Sequence, residues 1–174
     1  MRVRHRGLFP APPSVVFEAF TSPDLIVAKY HHLGHVDVRI IESRQQFGVV
    51  TIRSRREVPT SVPEFATRFF RPMTVVEENE EWDPLQPDGS RNGTWQVTAR
   101  GVPVTAGGVQ RLVPRPDGTS ERVVEGEVVC PMPGEEARLA ELVLADIERK
   151  LDDEDLFINR WLADRLNPSR SELG

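Results

Sequence analysis

The longest regular pattern of apolar positions lies near the C-terminus of this 174-residue chain. Residues 135–166 include no proline and no glycine, although the whole chain carries 15 prolines and 12 glycines. We therefore predict an amphipathic helix of roughly 45 Å in this stretch. Its apolar arc contains Leu139, Ala140, Val143, Leu144, Ile147, Leu151, Phe157, Ile158, Trp161 and Leu162.

Alternating apolar and polar positions predict about seven strands before that helix. They cover residues 2–9, 35–43, 47–58, 73–82, 93–100, 104–113 and 120–130. The turn sequences between them, among them Asn92-Gly93 and a Pro-Asp-Gly at 116–118, are typical of an antiparallel meander. Two short helices are predicted between the first two strands, at 14–20 and from Ser22 to a terminating Gly34.

Two stretches do not follow this alternation. Prolines at 59, 63 and 72 exclude a long strand between residues 59 and 72, but Phe65, Phe69 and Phe70 are too apolar for a free loop. We predict one or two helical turns there, packed against the rest of the protein. Residues 167–174 are predicted to form a flexible C-terminal tail.

Composition favours one soluble domain, which we place at residues 1–166. The net charge of −5 argues against a nucleic-acid-binding protein, and no apolar run is long enough for a membrane span. Cys130 is the single cysteine, so no internal disulfide can form and a cytoplasmic location is expected. The pattern leaves the oligomeric state open and indicates neither a cofactor nor a metal site.

Several short sequences support a family resemblance. They are Glu81-Trp82, Gly101-Val-Pro103, VEGEVVCP at 124–131 and DLFINRWLA at 155–163. With the order of elements, they make the chain similar to the START-like (polyketide cyclase/dehydrase and lipid-transport, SRPBCC) superfamily, and within it to an uncharacterised bacterial branch. One departure is the entry to the last helix, which has the single glycine Gly134 where the family pattern is glycine-rich.

The resemblance implies an α+β helix-grip fold. A curved antiparallel sheet of about seven strands would wrap around the C-terminal helix, with two short helices after the first strand. Members of the superfamily hold apolar or amphipathic ligands between sheet and helix; some are cyclases, dehydratases or aromatases, others carry lipids or hormones, and some are co-chaperones. Fold alone does not select among these functions.

Carboxylates on apolar faces are the first candidates for chemistry. Glu154 lies within the apolar arc of the last helix, where a buried carboxylate would be paired or would have a raised pKa. The alternative, which we expect, is that the helix bends near 151–155 and the acidic run is solvated. Glu80 shares a strand face with Trp82 and becomes a cavity carboxylate if that face is the inner one.

Basic groups are the second set of candidates. Either Arg53 with Arg55, or Arg56 with Ser54, faces inward from its strand, and an inward arginine could hold a ligand carboxylate or enolate. His5 shares its strand face with Val3 and Phe9 and could look into the cavity or be hydrogen-bonded at the core edge. The other histidines, His31, His32 and His35, lack the spacing of a zinc site.

The leading functional hypothesis is a protein that binds a small apolar or polycyclic ligand, lipid or polyketide-like, under the last helix. A cyclase or dehydratase that uses a cavity carboxylate as acid or base is the alternative. A protein-interaction module is a third possibility, though charged outward positions such as Asp37 and Arg39 oppose it. Expected ligand contacts are Phe65, Phe69, Phe70, Trp82, Trp95, Val128, Cys130, Ile147, Leu151 and Ile158, with Cys130 as a buried structural residue.

Overall fold

A computed structural model describes residues 1–167 of the chain. Its strands are β1 (Arg2–Phe9), β2 (Val36–Gln46), β3 (Val49–Pro59), β4 (Met73–Trp82), β5 (Arg91–Ala99), β6 (Thr105–Pro114) and β7 (Ser120–Val129). Its α-helices are α1 (Pro13–Thr21), α2 (Pro23–His32) and α3 (Glu136–Leu166), and Glu64–Ala66 forms a short 3-10 turn. Most of the predicted tail, residues 168–174, lies outside the described residues.

The seven strands form one antiparallel sheet in the order β1-β7-β6-β5-β4-β3-β2. Five of the six neighbouring pairs join strands that follow each other in sequence, and β1 completes the sheet beside β7. Helix α3 contacts β1 and β7 on one side of the sheet, while α1 and α2 cover one end. The predicted α+β helix-grip architecture is confirmed.

Both short helices begin with proline at their first positions, where the missing N–H is not needed. Ser22 occupies the N-cap of α2, but its side chain makes no capping hydrogen bond. Asp24 in the first turn of α2 suits the helix dipole. Gly34 ends the segment with a φ of +81°, as its position predicts.

The structure differs from two local predictions, one of the start of a strand and one of a turn. Phe47 is a turn residue rather than the start of a strand, because it and Gly48 both have positive φ angles, which a tight two-residue hairpin turn requires. Asn92 and Gly93 belong to β5 rather than to a turn. A Cβ at Gly93 would lie 3.0 Å from the Trp82 ring, so glycine is needed there for packing.

The backbone of β6 comes close to both neighbouring strands at its two glycines. Gly107 and Gly108 pair in regular register with both neighbouring strands, so they do not form a bulge. A Cβ on Gly107 would lie 2.9 Å from the Trp95 carbonyl oxygen, and one on Gly108 would overlap the backbone at Glu125. A side chain at either glycine would therefore prevent β6 from pairing with its neighbouring strands at the observed distance.

The interior consists of two apolar clusters separated along α3. The first lies under α1 and α2 and includes Phe9, Phe20, Trp82, Ile158 and Leu162. The second lies under the N-terminal half of α3, and its members include Val3, Ala66, Trp95, Val124, Leu139 and Leu151. Between Leu151 and Ile158 the helix turns a pair of buried acidic residues, Glu154 and Asp155, toward the sheet.

Residues 60–72 form a compact loop whose ends meet. The Thr60 amide donates a hydrogen bond of 2.8 Å to the Pro72 carbonyl oxygen, which closes the loop. Inside it, the 3-10 turn buries Ala66 against the second apolar cluster, and Phe65, Phe69 and Phe70 pack at its border. The predicted helical turn is present, although it is only three residues long.

Candidate ligand-binding site

A cavity of about 140 Å³ lies between the sheet and the N-terminal half of α3. Strands β3 to β7 form its floor with inward-facing residues, and α3 forms its roof with Val143, Ile147 and Leu151. Most of the wall is apolar, with valine and alanine side chains from β4, β5, β6 and β7. These small side chains leave this space because longer side chains at the same positions would fill it.

One end of the cavity is polar. Five ionisable side chains line it there: Arg56 from β3, Glu78 and Glu80 from β4, Arg122 from β7 and Glu154 from α3. Strand alternation brings them together, since each strand residue shares its inward face with buried apolar neighbours. The polar end coincides with the gap between the two apolar clusters.

Arg56 and Glu78 form the first ion pair of this end. Arg56 Nη2 lies 2.8 Å from Glu78 Oε2, and both side chains are buried. Tyr30 donates its hydroxyl to the same carboxylate oxygen at 2.6 Å, and the Arg56 guanidinium lies 3.8 Å above the Tyr30 ring. Burial alone would raise the pKa of Glu78, but Arg56 and Lys29 outweigh it and lower this pKa to about 2.

Glu154 and Asp155 form the second buried group of charges. Glu154 Oε2 lies 3.2 Å from Lys29 Nζ and 3.7 Å from Arg122 Nη1. Asp155 Oδ1 lies 3.5 Å from the same Arg122 nitrogen. Its other oxygen contacts His5 Nε2 at 2.6 Å. Each of these two carboxylates therefore has a cationic neighbour, as burial requires.

Glu80 has a different environment. Its Oε2 accepts hydrogen bonds from Trp82 Nε1 at 3.3 Å and from Gln110 Nε2 at 2.8 Å, both of which are uncharged donors. Burial raises the pKa of the Glu80 carboxyl and the nearby Glu78 carboxylate raises it further, while Lys29 and Arg122 lower it in part. The result is a pKa above the ordinary value of 4.5.

The cavity adjoins a depression on the surface between the loop at 60–72 and α3. Val58, Thr60, Phe70 and Val143 line both spaces, together with an ion pair between Lys150 and Asp146 at 2.7 Å. The cavity and the depression are therefore contiguous at these shared residues.

A family model described as "Protein of unknown function (DUF2505)" matches residues 4–162, which is nearly all of the structured chain. The chain belongs to the DUF2505 family. No curated protein sequence matches the chain.

Solved structures identify the fold of this DUF2505 protein as START-like. It resembles the Zhui aromatase/cyclase from Streptomyces sp. R1128, with a TM-score of 0.64 and 16% identity over 95% of each chain. The chain also resembles the lipid transfer and protein localization domain of human StarD13, with a TM-score of 0.57 and 14% identity over 90% of this chain and 74% of that one. For Ara h 8.0201, the TM-score is 0.60 and the identity is 12%, over 94% of this chain and 98% of that one. At these identities the likeness establishes the fold alone, and it confirms the predicted START-like fold.

The structure of the DUF2505 chain corrects the expectation for Glu154. The expected bend with a solvated acidic run is wrong for two of its residues, since α3 continues through this point and buries both Glu154 and Asp155. Only Asp152 and Asp153 are exposed. The physical reason lies in the partners from other elements, Lys29 and Arg122, which offset the desolvation of the carboxylates.

The remaining catalytic candidates have separate positions. Glu80 lines the cavity, whereas Arg53 is exposed on the outer face of β3, near Glu42, and Arg56 is the inward arginine. His5 contacts Asp155 at the core edge and does not line the cavity. Sequence alternation left the choice between Arg53 and Arg56 open, and only the register of β3 in the sheet decides it.

Four of the ten expected ligand contacts line the cavity: Phe70, Trp95, Ile147 and Leu151. The other six pack elsewhere. Trp82 and Ile158 belong to the cluster under α1 and α2, and Val128 and Cys130 are buried behind the cavity wall. Phe65 and Phe69 pack at the loop border, beneath the guanidinium groups of Arg138 and Arg68 respectively.

Among residues 1–167, no cluster of three or more histidine, cysteine or acidic side chains has metal-binding geometry. His35 is buried and stacks on Tyr30, with ring centroids 5.4 Å apart. Burial and the charge of Arg56 lower the pKa of His35 to about 3. Within the same residues, no helix combines the length and hydropathy that crossing a membrane requires.

Sequence reasoning missed three residues of the polar end: Lys29, Tyr30 and Arg122. Alternation could have found Arg122, because it shares the inward parity of Val124 and Val128 on β7. Lys29 and Tyr30 lie three and four residues after Ile26, on the buried side of α2. The sequence did not indicate that the Tyr30 hydroxyl contacts Glu78 on β4 or that the Lys29 ammonium contacts Glu154 on α3.

Proposed function

We propose that this protein binds a small, mainly apolar molecule in the cavity between the sheet and α3. The observation that supports the proposal most directly is the cavity itself: apolar walls, a few polar groups at one end, and an adjoining surface depression beside Phe70. Ligand sites generally combine these features. Proteins of the same fold include one whose name gives an aromatase/cyclase and one a lipid transfer domain.

The volume of the cavity limits the ligand. About 140 Å³ is close to the engineered cavities of about 150 Å³ that hold benzene. A single ring with a short substituent therefore fits without rearrangement. Drug-sized sites measure roughly 300–1,000 Å³, so a polycyclic or lipid ligand requires movement of the loop at 60–72 away from α3.

A binding function is favoured over proton-transfer catalysis by the ion pairs at the polar end. Glu78 and Glu154 are already engaged with Arg56, Lys29 and Arg122, and a carboxylate held in this way is a weak general base. The enzyme alternative depends on Glu80 alone. A cytoplasmic location, proposed from the single buried cysteine, fits either activity.

Methyl NMR of the purified protein tests the proposal with toluene as the probe. We expect saturable shifts at methyl groups of Ile147 and Leu151, which line the cavity, and none at Ile158. Val97→Phe places a ring in the cavity wall and should abolish these shifts. Val109→Phe makes the same substitution on the outer face of β6, where Val109 is 55% exposed, and should leave them unchanged.

Native mass spectrometry of the protein as purified provides a second test. A retained small molecule that is absent from Val97→Phe would support the proposal and identify the natural ligand class. The absence of saturable toluene shifts up to millimolar concentration, with no retained molecule, would show that the cavity is only a packing defect.

A further inference from the structure

Glu80 is the carboxyl group of the cavity that has no cationic partner. Glu78 pairs with Arg56, and Glu154 pairs with Lys29 and Arg122. Within residues 1–167, Glu80 makes no salt bridge, and the donors that reach it are the indole of Trp82 and the amide of Gln110. An ionised carboxylate in this position would have only neutral groups as direct hydrogen-bond donors, with Lys29 and Arg122 acting on it from beyond ion-pair distance.

The orientation of Gln110 is determined by its second contact. Its Oε1 accepts a hydrogen bond of 3.2 Å from Arg122 Nη2, and an arginine can only donate. The amide NH₂ of Gln110 must therefore face Glu80, and it donates to Oε2. Because Trp82 Nε1 donates to the same oxygen, Oε2 acts as the carbonyl-type oxygen of the carboxyl group.

The other oxygen of Glu80 is free for a ligand. Oε1 has no hydrogen-bond partner among residues 1–167, although its side chain lines the cavity. A protonated carboxyl group has one accepting oxygen and one hydroxyl that donates. With Oε2 occupied as a double acceptor, the hydroxyl belongs on Oε1, directed at the space where a ligand would lie.

Six charged side chains around the polar end, counted without His5 beside Asp155, balance in the absence of a Glu80 charge. Lys29, Arg56 and Arg122 provide three positive charges, and Glu78, Glu154 and Asp155 provide three negative ones, each within ion-pair distance of at least one cation. A fourth negative charge would leave the buried group with a net charge, which is expensive to desolvate. At the cavity mouth, Asp146 pairs with both Lys150 and Arg149.

We propose that Glu80 is a neutral carboxylic acid in the ligand-free protein and donates a hydrogen bond from Oε1 to an uncharged oxygen of the ligand. This proposal rests on the proposed binding function and adds the chemical class: a small ring compound bearing a ketone, aldehyde or ester oxygen. A ligand carboxylate is disfavoured, because each cation among the described side chains at the polar end already lies within ion-pair distance of a carboxylate. The raised pKa of Glu80 agrees with this assignment.

The protonation state can be measured without any ligand. In protein labelled with ¹³C at the glutamate side-chain carboxyl carbons, we expect one resonance at neutral pH with the shift of a protonated carboxyl. Glu80→Gln should remove that resonance. Glu77→Gln, a substitution on the exposed opposite face of β4, is the matched control and should leave it in place.

Ligand selection is tested with three probes of similar shape: acetophenone, α-methylstyrene, in which C=CH₂ replaces C=O, and benzoate. Glu80→Gln retains a donor facing the cavity and should keep the ratio of acetophenone to α-methylstyrene affinity within about threefold. Glu80→Met removes the donor and should lower that ratio by about tenfold, the net effect of one hydrogen bond. Benzoate should bind more weakly than acetophenone to the unmodified protein.

Glu80→Met also removes an acceptor from Trp82 and Gln110, so it could fail to fold. Carbonyl-¹³C acetophenone therefore provides an independent readout on the unmodified protein: its bound carbonyl resonance should lie downfield of that of acetophenone in an apolar solvent, as it does when a carbonyl accepts a hydrogen bond. An ionised Glu80, preferential binding of benzoate, or an unshifted carbonyl would each overturn the proposal while leaving the binding function intact. If none of the three probes binds, the binding function fails and ligand selection with it, whereas the ¹³C spectrum still decides the state of Glu80.

Discussion

Replacement of Arg56 by methionine is expected to destabilise the protein strongly. The substitution keeps much of the side-chain length but leaves the Glu78 carboxylate buried with only the Tyr30 hydroxyl as a close partner. Removing one partner of a buried ion pair typically costs about 3–5 kcal/mol. The lowering of the Glu78 pKa from 4.5 to about 2, which Arg56 produces together with Lys29 and Tyr30 against the effect of burial, corresponds to about 3 kcal/mol, which is of the same order.

The pH dependence of the same variant has a definite sign. In the unmodified protein the folded-state pKa of Glu78 lies below its unfolded value, so this contribution is complete above pH 4.5 and is lost as the pH falls toward 2. Without Arg56, burial is expected to raise the Glu78 pKa above 4.5. The free energy of unfolding of Arg56→Met should then decrease as the pH rises from 4.5 through the raised folded-state pKa, a dependence of opposite sign to that of Glu78 in the unmodified protein.

Urea denaturation followed by tryptophan fluorescence measures both effects. Arg53→Met is the matched control on the same strand; Arg53 is exposed, with Glu42 3.9 Å away, and its loss should cost less than about 0.5 kcal/mol. Adding Glu78→Gln to Arg56→Met should recover about 2 kcal/mol, because no charge is then left unpaired. A loss below about 1 kcal/mol for Arg56→Met, or no recovery in the double variant, would refute the electrostatic interpretation.

Three further substitutions test other parts of the structure. Gly7→Ala introduces a Cβ that overlaps the Asp155 carboxylate and should cost at least about 2 kcal/mol in urea denaturation; an unchanged midpoint would contradict this packing. In the parent protein, His35 should make the free energy of unfolding fall by about 2–3 kcal/mol between pH 6.5 and 4.5, because the folded protein keeps His35 neutral while the unfolded chain binds a proton. His35→Phe should remove this part of the pH dependence. Equal slopes of stability against pH for variant and parent would contradict the prediction. Ile158→Ala should cost about 2–5 kcal/mol but leave toluene affinity unchanged, whereas a large affinity change would place Ile158 in the site.

The order and type of the elements follow from local patterns in the chain. Periods of two and of 3.6 residues, together with prolines at helix starts and glycines at turns, are sufficient to predict seven strands, two short helices and one long helix. They also place Glu80 on the same strand face as Trp82, because side chains alternate strictly along a strand. These features depend only on residues a few positions apart.

The polar end of the cavity depends on contacts that no local pattern contains. Glu154 is buried rather than solvated because Lys29, from α2, and Arg122, from β7, reach it across the interior. Strand alternation left Arg53 and Arg56 equivalent, and the register of β3 against β4, which sets Arg56 beside Glu78, resolves them.

The same distinction applies to the ligand contacts. Local hydrophobicity identified Phe70, Trp95, Ile147 and Leu151 as apolar, and equally Trp82 and Ile158, but only the curvature of the sheet around α3 determines which of them border empty space. Hydrophobic patterning decides that a side chain is buried. Whether it faces a neighbour, a charge or a cavity depends on residues distant in sequence, because packing and electrostatic interactions act through space.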